Sequence, residues 1–339
     1  MRGRRRFHRY AAVSLVVAAF SVASPLGAHA QGSAVYVTSN GTTVNVAGLL
    51  ADGFTMEELR SLDLQVPMIN MLVSSGTATV AQAQHLAQSL LATPPKLVSA
   101  QTGPLPSGVV LPSFPAGPLT SCSSGTGAYY DVYTGTGWNE ATAYTTMGDS
   151  TSKSSSDGFY DSLGLWSTTN NVGADIGLGT PGSGSSATWT MYENGPYGHW
   201  DPSSGYTISQ ATYPEVYLEL TIPTTSYLGI TVIDPTTWTV LYNPDVYVGT
   251  SYGFTTSGAN EEIYRFDSIA QNGGEDLTDG SSLTEQSWTH EYEYNSNGYQ
   301  LVTSYGREAG PECTAAEKAT VSVNSYTAWY DSNISVSYS

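Results

Sequence analysis

The sequence predicts an all-β fold, an antiparallel β-sandwich, preceded by a small and mostly helical N-terminal segment. After residue 118 the chain consists of short segments rich in β-branched and aromatic residues, and several alternate apolar and polar side chains. Asn-Gly, Asp-Gly, Asn-Pro and Gly-Gly turns separate these segments. Ten or more strands in about 220 residues fit one sandwich or barrel.

The first 30 residues have the three parts of an export signal. "MRGRRRFHRY" is basic, "AAVSLVVAAFSVA" is apolar, and Ala28-His29-Ala30 is a small-residue cleavage site. The apolar run is too short to span a bilayer, and no later segment is long and apolar enough to do so. We therefore expect a secreted protein without a membrane span, exported by the general or the twin-arginine route.

The chain after residue 30 is acidic because it has few bases. Five of the eleven Lys and Arg lie in the leader and all 29 Asp and Glu follow it, so the remainder has a formal charge of −23 at pH 7. Phosphate binding needs a basic surface, which excludes a nucleic-acid partner. With so few cations, charge repulsion in acid stays small, and we expect the domain to remain folded near pH 3.

The cysteines and histidines indicate a disulfide and no metal. In an exported chain with two cysteines, Cys122 and Cys313 are expected to form a disulfide. His85, His199 and His290 have none of the spacings typical of metal ligands. The sequence therefore predicts neither a metal site nor another cofactor.

Three regions follow the leader. Residues 31–93 begin with a hairpin that turns at Asn40-Gly41 and continue with two helices, and this segment is a candidate propeptide. Residues 94–118 contain seven prolines and are expected to form an extended linker. Residues 119–339 are the sandwich, which we expect to be a monomer.

The first predicted helix has a start signal, and the second has helical periodicity. Thr55 is the N-cap of the first, with acidic residues in its first turn and Pro67 beyond its end. The second covers "TVAQAQHLAQSLLA", whose apolar residues recur at helical spacing: Val80, Ala83, Leu86, Ala87, Leu90 and Leu91.

Alternation in the later segments assigns side chains to faces. In "EVYLELTI", Val216, Leu218, Leu220 and Ile222 are expected to face the core, with Glu215, Tyr217, Glu219 and Thr221 outward. "SWTHEYEY" places on one face a row of aromatic residues with a histidine: Trp288, His290, Tyr292 and Tyr294. Such a row can form core or line a groove.

The segment "SGANEEIYRFDS" contains the best candidate for an acid or base. Alternation places Glu262 with Tyr264 and Phe266, whereas Glu261 and Asp267 share the other face with Arg265 and have it as a cationic partner. A carboxyl group among apolar rings has a raised pKa, a property that general acids and bases use. The alternative is a solvated Glu262 on an exposed face.

The order of these motifs resembles the eqolisins, the glutamic peptidases, over about residues 170–339. "MYENGP", "YTISQATYPEVYLELTI" with "GITVIDPTTWTVLY", and "ANEEIYRF" are similar to family segments. Eqolisins are secreted acid endopeptidases with a propeptide and a β-sandwich fold, which implies a concanavalin-like or jelly-roll topology here. The resemblance makes Glu262 the catalytic glutamate that activates water.

Two family features are absent, the Trp-x-Gly segments near the start of the domain and the catalytic glutamine. The family's catalytic glutamine, which stabilises the oxyanion, falls at Gly179 in "ADIGLGTPG". Glu193 of "MYENGP" is a candidate substitute, because a protonated carboxyl group can donate a hydrogen bond. The other interpretation of Glu193 is a solvated glutamate near a turn.

Three functions remain open from the sequence. The first is a secreted acid endopeptidase, with Glu262 and Glu193 acting on polypeptides at pH 2–4. The second is a noncatalytic module that binds carbohydrate or another surface polymer through rings such as those of "YGHW" (197–200). The third is a glycoside hydrolase that uses Glu193 and Glu262 as a carboxylate pair across a groove.

Overall fold

The computed structural model describes the candidate propeptide and most of the sandwich. Described are residues 34–98, 128–152, 158–181, 184–194, 199–200, 206–270, 280–295, 297–302, 306–310, 312–314, 317–327 and 330–338. The leader, Cys122 and most of the proline-rich linker lie outside these residues, and the side chain of Cys313 is likewise not described. The predicted disulfide therefore stays a prediction.

The N-terminal segment is a hairpin followed by four short helices. Its elements are β1 (Val35–Val37), β2 (Thr43–Asn45), α1 (Ala47–Ala51), α2 (Met56–Leu62), a 3-10 turn (Asp63–Gln65), α3 (Val66–Ser74) and α4 (Val80–Ala92), and β3 (Lys96–Val98) follows at the start of the linker. The hairpin turns at Asn40-Gly41, as predicted. Helices α1 and α3 were not predicted, and Pro67 lies in the first turn of α3. None of the described helices is long and apolar enough to cross a membrane.

Capping explains where α2 and α4 begin. The side chains of Thr55 and Thr79 each accept a hydrogen bond from the backbone N–H three residues later. The side chain of that later residue, Glu58 or Gln82, in turn accepts the backbone N–H of the threonine. Helix α4 buries Leu86 and Leu90 on its predicted face, whereas Leu91 is exposed. The helices pack on strands of the sandwich, so the segment and the sandwich share a hydrophobic core.

The sandwich contains the remaining strands. The first are β4 (Ala128–Thr136), β5 (Glu140–Thr146), β6 (Asp149–Thr151), β7 (Gly158–Ser167), β8 (Val172–Thr180), β9 (Thr188–Asn194), β10 (His199–Trp200) and β11 (Thr207–Ser209). Next are β12 (Glu215–Thr224), β13 (Tyr227–Asp234), β14 (Thr239–Tyr242), β15 (Pro244–Tyr247) and β16 (Glu261–Ala270). The last are β17 (Ser282–Asn295), β18 (Gly298–Leu301), β19 (Gly306–Gly310), β20 (Glu312–Thr314), β21 (Glu317–Thr327) and β22 (Tyr330–Tyr338). Short 3-10 turns lie at Gly184–Ser186 and Thr250–Tyr252.

The described strands form two large sheets, which confirms the all-β sandwich. An eight-stranded sheet has the order β10-β9-β8-β7-β16-β4-β19, with β11 added beside β9. A twelve-stranded sheet has the order β20-β21-β22-β17-β5-β12-β13-β15-β3, with β14, β18 and β6 beside its members. Pairing is antiparallel except where β3 runs parallel to β15.

The two sheets pack face to face through the residues that alternation predicts. Val216, Leu218 and Leu220 of β12 lie in the core between them. On the other face of β12, Tyr217 and Glu219 are buried rather than solvated, because the N-terminal segment covers this side of the twelve-stranded sheet.

A bulge in β17 changes the faces predicted for "SWTHEYEY". Trp288 lies in the core between the sheets, whereas Tyr292 packs on the N-terminal segment. The pairing of β17 with β5 shifts between Thr289 and Tyr292, and His290 has a φ of 54°. One extra residue moves all later side chains to the opposite face. The prediction of a single aromatic face was wrong for this reason.

A charged layer is buried between the sheets. Arg265 of β16 forms an ion pair with Glu291 of β17, and both side chains are 1% exposed. The Asp267 carboxylate accepts a hydrogen bond from the indole of Trp288 at 3.0 Å. Glu261 accepts backbone N–H groups of the preceding loop, so its predicted pairing with Arg265 is wrong.

Two further carboxyl groups belong to this layer. Asp161 accepts a hydrogen bond from the Thr145 hydroxyl at 2.7 Å, and Glu293 accepts one from the Thr134 hydroxyl at 2.9 Å. Burial raises the pKa of Asp161 to about 7 and that of Glu293 to about 8. Both are therefore protonated in acid.

Candidate functional site

Glu262 lies on β16 of the eight-stranded sheet, between β7 and β4. Its side chain shares the outer face, which is turned away from the twelve-stranded sheet, with Tyr264 and Phe266. Ile263 belongs to the core between the sheets, and Arg265 is buried on that inner side. The side chains of this strand thus divide between the faces as the pattern predicts.

Aromatic rings share the face of the sheet that carries Glu262. Trp166 on β7 is its direct cross-strand neighbour, and such neighbours have Cβ atoms about 5 Å apart. Tyr264 forms a hydrophobic cluster with Tyr129 and Phe266, and Trp166 packs against it. Glu262 is half-buried, and this burial raises the pKa of its carboxyl group above the usual 4.5.

Two glycines make room for these rings. A Cβ atom on Gly164 would lie 2.1 Å from the Tyr264 ring, and one on Gly173 would lie 2.8 Å from the Trp166 ring. Gly164 pairs with Tyr264 and Gly173 with Trp166 across neighbouring strands. The rings therefore lie flat on glycine backbone, which fixes the walls around Glu262.

Gly164→Ala tests this packing. The added methyl group would overlap the Tyr264 ring, so we expect the variant to lose about 1–3 kcal/mol of stability. Gly135→Ala on β4 is the matched control, because a Cβ there has no atom within 4 Å. Urea unfolding of both variants measures the difference. Equal midpoints for the two would show that Tyr264 is not held against Gly164.

A polar cluster lies on the same outer face, on the far side of β7. Asp175 on β8 is fully buried, and its carboxylate accepts hydrogen bonds from Tyr192 at 2.5 Å and Ser162 at 3.5 Å. Burial, and next the Asp175 carboxylate, raise the pKa of Tyr192 and of Tyr264 well above 10. Asp175 thus holds the Tyr192 hydroxyl on the face of the sheet that also carries Glu262.

Asp175 was missed in the sequence, although its strand contained a signal. In "VGADIGLGT", Ala174, Ile176 and Leu178 lie in the core. The positions between and beside them are glycines except for Asp175. When the other residues on one face of a strand are glycines, a single carboxylate on that face does not contribute to hydrophobic packing. This pattern distinguishes Asp175 from a core residue.

Glu193 does not share the face of Glu262. Its neighbour on β8 is Ile176, a core residue, and Glu193 is fully buried on that inner side. The two glutamates therefore lie on opposite faces of one sheet, which argues against their use as a pair. Glu262 pairs with Trp166 of β7, and Trp166 pairs with Gly173 of β8; Gly179 lies six residues farther along β8. That is about 20 Å, too far for the oxyanion role that the resemblance gave this position.

Among the described side chains, no group of three or more His, Cys, Asp or Glu is arranged to hold a metal ion. The chemistry that the described groups around Glu262 can supply is proton transfer by the carboxyl group and hydrogen bonding by the indole and phenols. The rings of "YGHW", proposed from the sequence to bind polymers, are not among the described side chains.

Comparison with known proteins finds remote similarity. No family model and no curated protein matches the chain. SCP-B, a member of the eqolisin family of peptidases in a complex with the tripeptide Ala-Ile-His, is 12% identical, with a TM-score of 0.35 over 64% of this chain and 98% of that chain. Scytalido-glutamic peptidase with a peptide-based transition state analog is 11% identical, with a TM-score of 0.34 over the same shares. Similarity this low carries no inference about activity.

Proposed function

We propose that this chain is a secreted peptidase that works in mild acid, near and above the raised pKa of Glu262, with polypeptides as substrates and Glu262 as the general base. The observation that carries the proposal is the setting of Glu262, a half-buried carboxyl group beside Trp166 with a raised pKa. A carboxylate in such a setting is a stronger base than one in water. In this proposal residues 1–30 direct export and residues 31–93 are the propeptide.

The reaction begins with Glu262 in its carboxylate form. Glu262 removes a proton from water as the water oxygen attacks the carbonyl carbon of the peptide bond. The oxyanion that forms needs a hydrogen-bond donor. We assign this role to the indole N–H of Trp166, which is partly exposed and makes no hydrogen bond to a described residue. Glu262 then returns the proton to the leaving amine.

Cleavage of a denatured protein by Glu262→Gln tests the proposal. Loss of a general base typically costs 10²–10⁴-fold in rate, roughly the loss we expect here, and Trp166→Phe should lower kcat about 10²-fold with little change in KM. In the wild type, kcat/KM should fall as the pH drops through the pKa of Glu262, which lies above 4.5.

Glu57→Gln is the control, because Glu57 lies in the first turn of α2, outside the sandwich. It should cleave at the wild-type rate between pH 3 and pH 6. Wild-type activity in Glu262→Gln, or no cleavage by the wild type in this range, would overturn the assignment.

A further inference from the structure

A cavity of about 480 Å³ opens between the N-terminal segment and the β17–β18 hairpin. Asn45 and Asn70 line one side, and Tyr292, Tyr294 and Tyr299 line the other. Its volume is typical of small-molecule sites. Because it lies on the covered face of the twelve-stranded sheet, it is separate from the outer face that carries the proposed active site.

The tyrosine rings that line the cavity are held in place by contacts with each other and with a buried glutamate. Tyr294 and Tyr299 are cross-strand neighbours, with ring centroids 4.8 Å apart and an interplanar angle of 63°. The Tyr299 hydroxyl donates a hydrogen bond to Glu140, which is buried. Rings fixed in this way lose little conformational entropy when a ligand binds.

The polar groups of the cavity are available to a ligand. The amide of Asn70 and the hydroxyl of Tyr292 make no hydrogen bonds to described residues, though both line the cavity. The Asn45 amide oxygen accepts the backbone N–H of Ala47 at 3.1 Å. The side-chain N–H groups of Asn45 can therefore donate to a ligand. These groups provide donors and acceptors side by side.

The described lining contains no Asp, Glu, Lys or Arg. A cation would find no carboxylate here, and an anion would meet no base in a chain of net negative charge. Rings that offer apolar faces, combined with amides and hydroxyls, suit a ligand with C–H faces and many hydroxyl groups.

We propose that this cavity binds a neutral saccharide of one or two units. The rings of Tyr292 and Tyr299 contact its C–H faces, and Asn45, Asn70 and the Tyr292 hydroxyl form hydrogen bonds with its hydroxyl groups. Since one side of the cavity belongs to the N-terminal segment, the site exists only in chains that retain this segment. Saccharide binding would then stabilise the docked form.

The test is titration of the full chain with maltose, cellobiose and N,N′-diacetylchitobiose by calorimetry and ligand-observed NMR. We expect one of them to bind saturably with a Kd between about 0.1 and 10 mM. Asn70→Ala and Tyr292→Phe should each weaken binding by about tenfold. Both changes leave the hydrophobic contacts of their elements in place, so folding is retained.

Gln88→Ala is the matched control, since Gln88 is an exposed amide on α4 of the same segment and does not line the cavity. It should bind the saccharide as the wild type does, and so should Glu262→Gln. Absence of binding for all three disaccharides at 20 mM, or equal affinity in Asn70→Ala and the wild type, would overturn the proposal.

Discussion

The free energy of unfolding should fall by several kcal/mol as the pH rises from 4 to 8. Burial raises the pKa of Asp161 and of Glu219 to about 7 and that of Glu293 to about 8. In the unfolded chain such groups titrate near 4. Between these values the folded chain binds more protons than the unfolded one, so stability decreases with increasing pH.

These pKa values give the direction of the change in stability and the pH range over which it occurs. The stabilisation is fully present below about pH 4 and is lost as the pH rises through 7 to 8. A pKa difference from about 4 to about 7 corresponds to roughly 4 kcal/mol per group, and coupling between the groups reduces the sum. Urea midpoints measured at each pH from 4 to 8 give the profile.

Glu293→Gln should flatten this profile. The amide keeps the size of the side chain and the bond to Thr134 but carries no charge at any pH. We expect it to match the wild type at pH 4 and to exceed its stability at pH 8. Glu57→Gln, which changes a carboxyl group outside the sandwich, should leave the profile unaltered. A wild type equally stable at pH 4 and pH 8 would contradict the argument.

The acid tolerance that we expect has two origins, and only one of them can be predicted from composition. The scarcity of Lys and Arg limits charge repulsion in acid, and this is visible in the sequence. The second origin is the set of carboxyl groups buried between the sheets and under the N-terminal segment. Their burial depends on long-range pairing, for example of β17 with β5, which local pattern does not determine.

Alternation predicted the fold where strands carry large residues and failed where they do not. The faces of β12 and β16 follow from their sequences. Strands β5 and β8 were not recognised, because "EATAYTT" and "VGADIGLGT" contain Ala, Thr and Gly in place of most large apolar residues. Gly173 of β8 and Gly164 of β7 are required by the Trp166 and Tyr264 rings, each on a neighbouring strand. A single sequence cannot reveal that requirement.

For the site, the face and aromatic surroundings of Glu262 were predictable because they depend on one strand. Its relation to Glu193 was not, since it depends on which side of β9 faces the second sheet. Met191, two residues earlier, is in the core, so the same alternation carries Glu193 inward. Asp175 reaches the outer face by the same rule in β8.

Arg265→Met should cost about 3–5 kcal/mol of stability at pH 7, because it leaves the buried Glu291 without its cation. Methionine fills a similar length with apolar atoms, so packing is largely kept. At pH 4 the loss should be smaller, since protonation of a carboxyl group removes the buried charge.

A second change separates charge from shape. In Arg265→Met/Glu291→Gln no charge remains at either position, and stability at pH 7 should recover most of the loss. The urea unfolding midpoints of the wild type and the two variants at pH 4 and pH 7 measure these differences in stability. If the double variant were no more stable than Arg265→Met, the cost would come from packing around residue 265. If the pair stabilises the fold mainly because Arg265 neutralises Glu291, the interior tolerates carboxyl groups only when they are protonated or paired with a cation. In acid the buried carboxyl groups of the sandwich are protonated, so they need no cation.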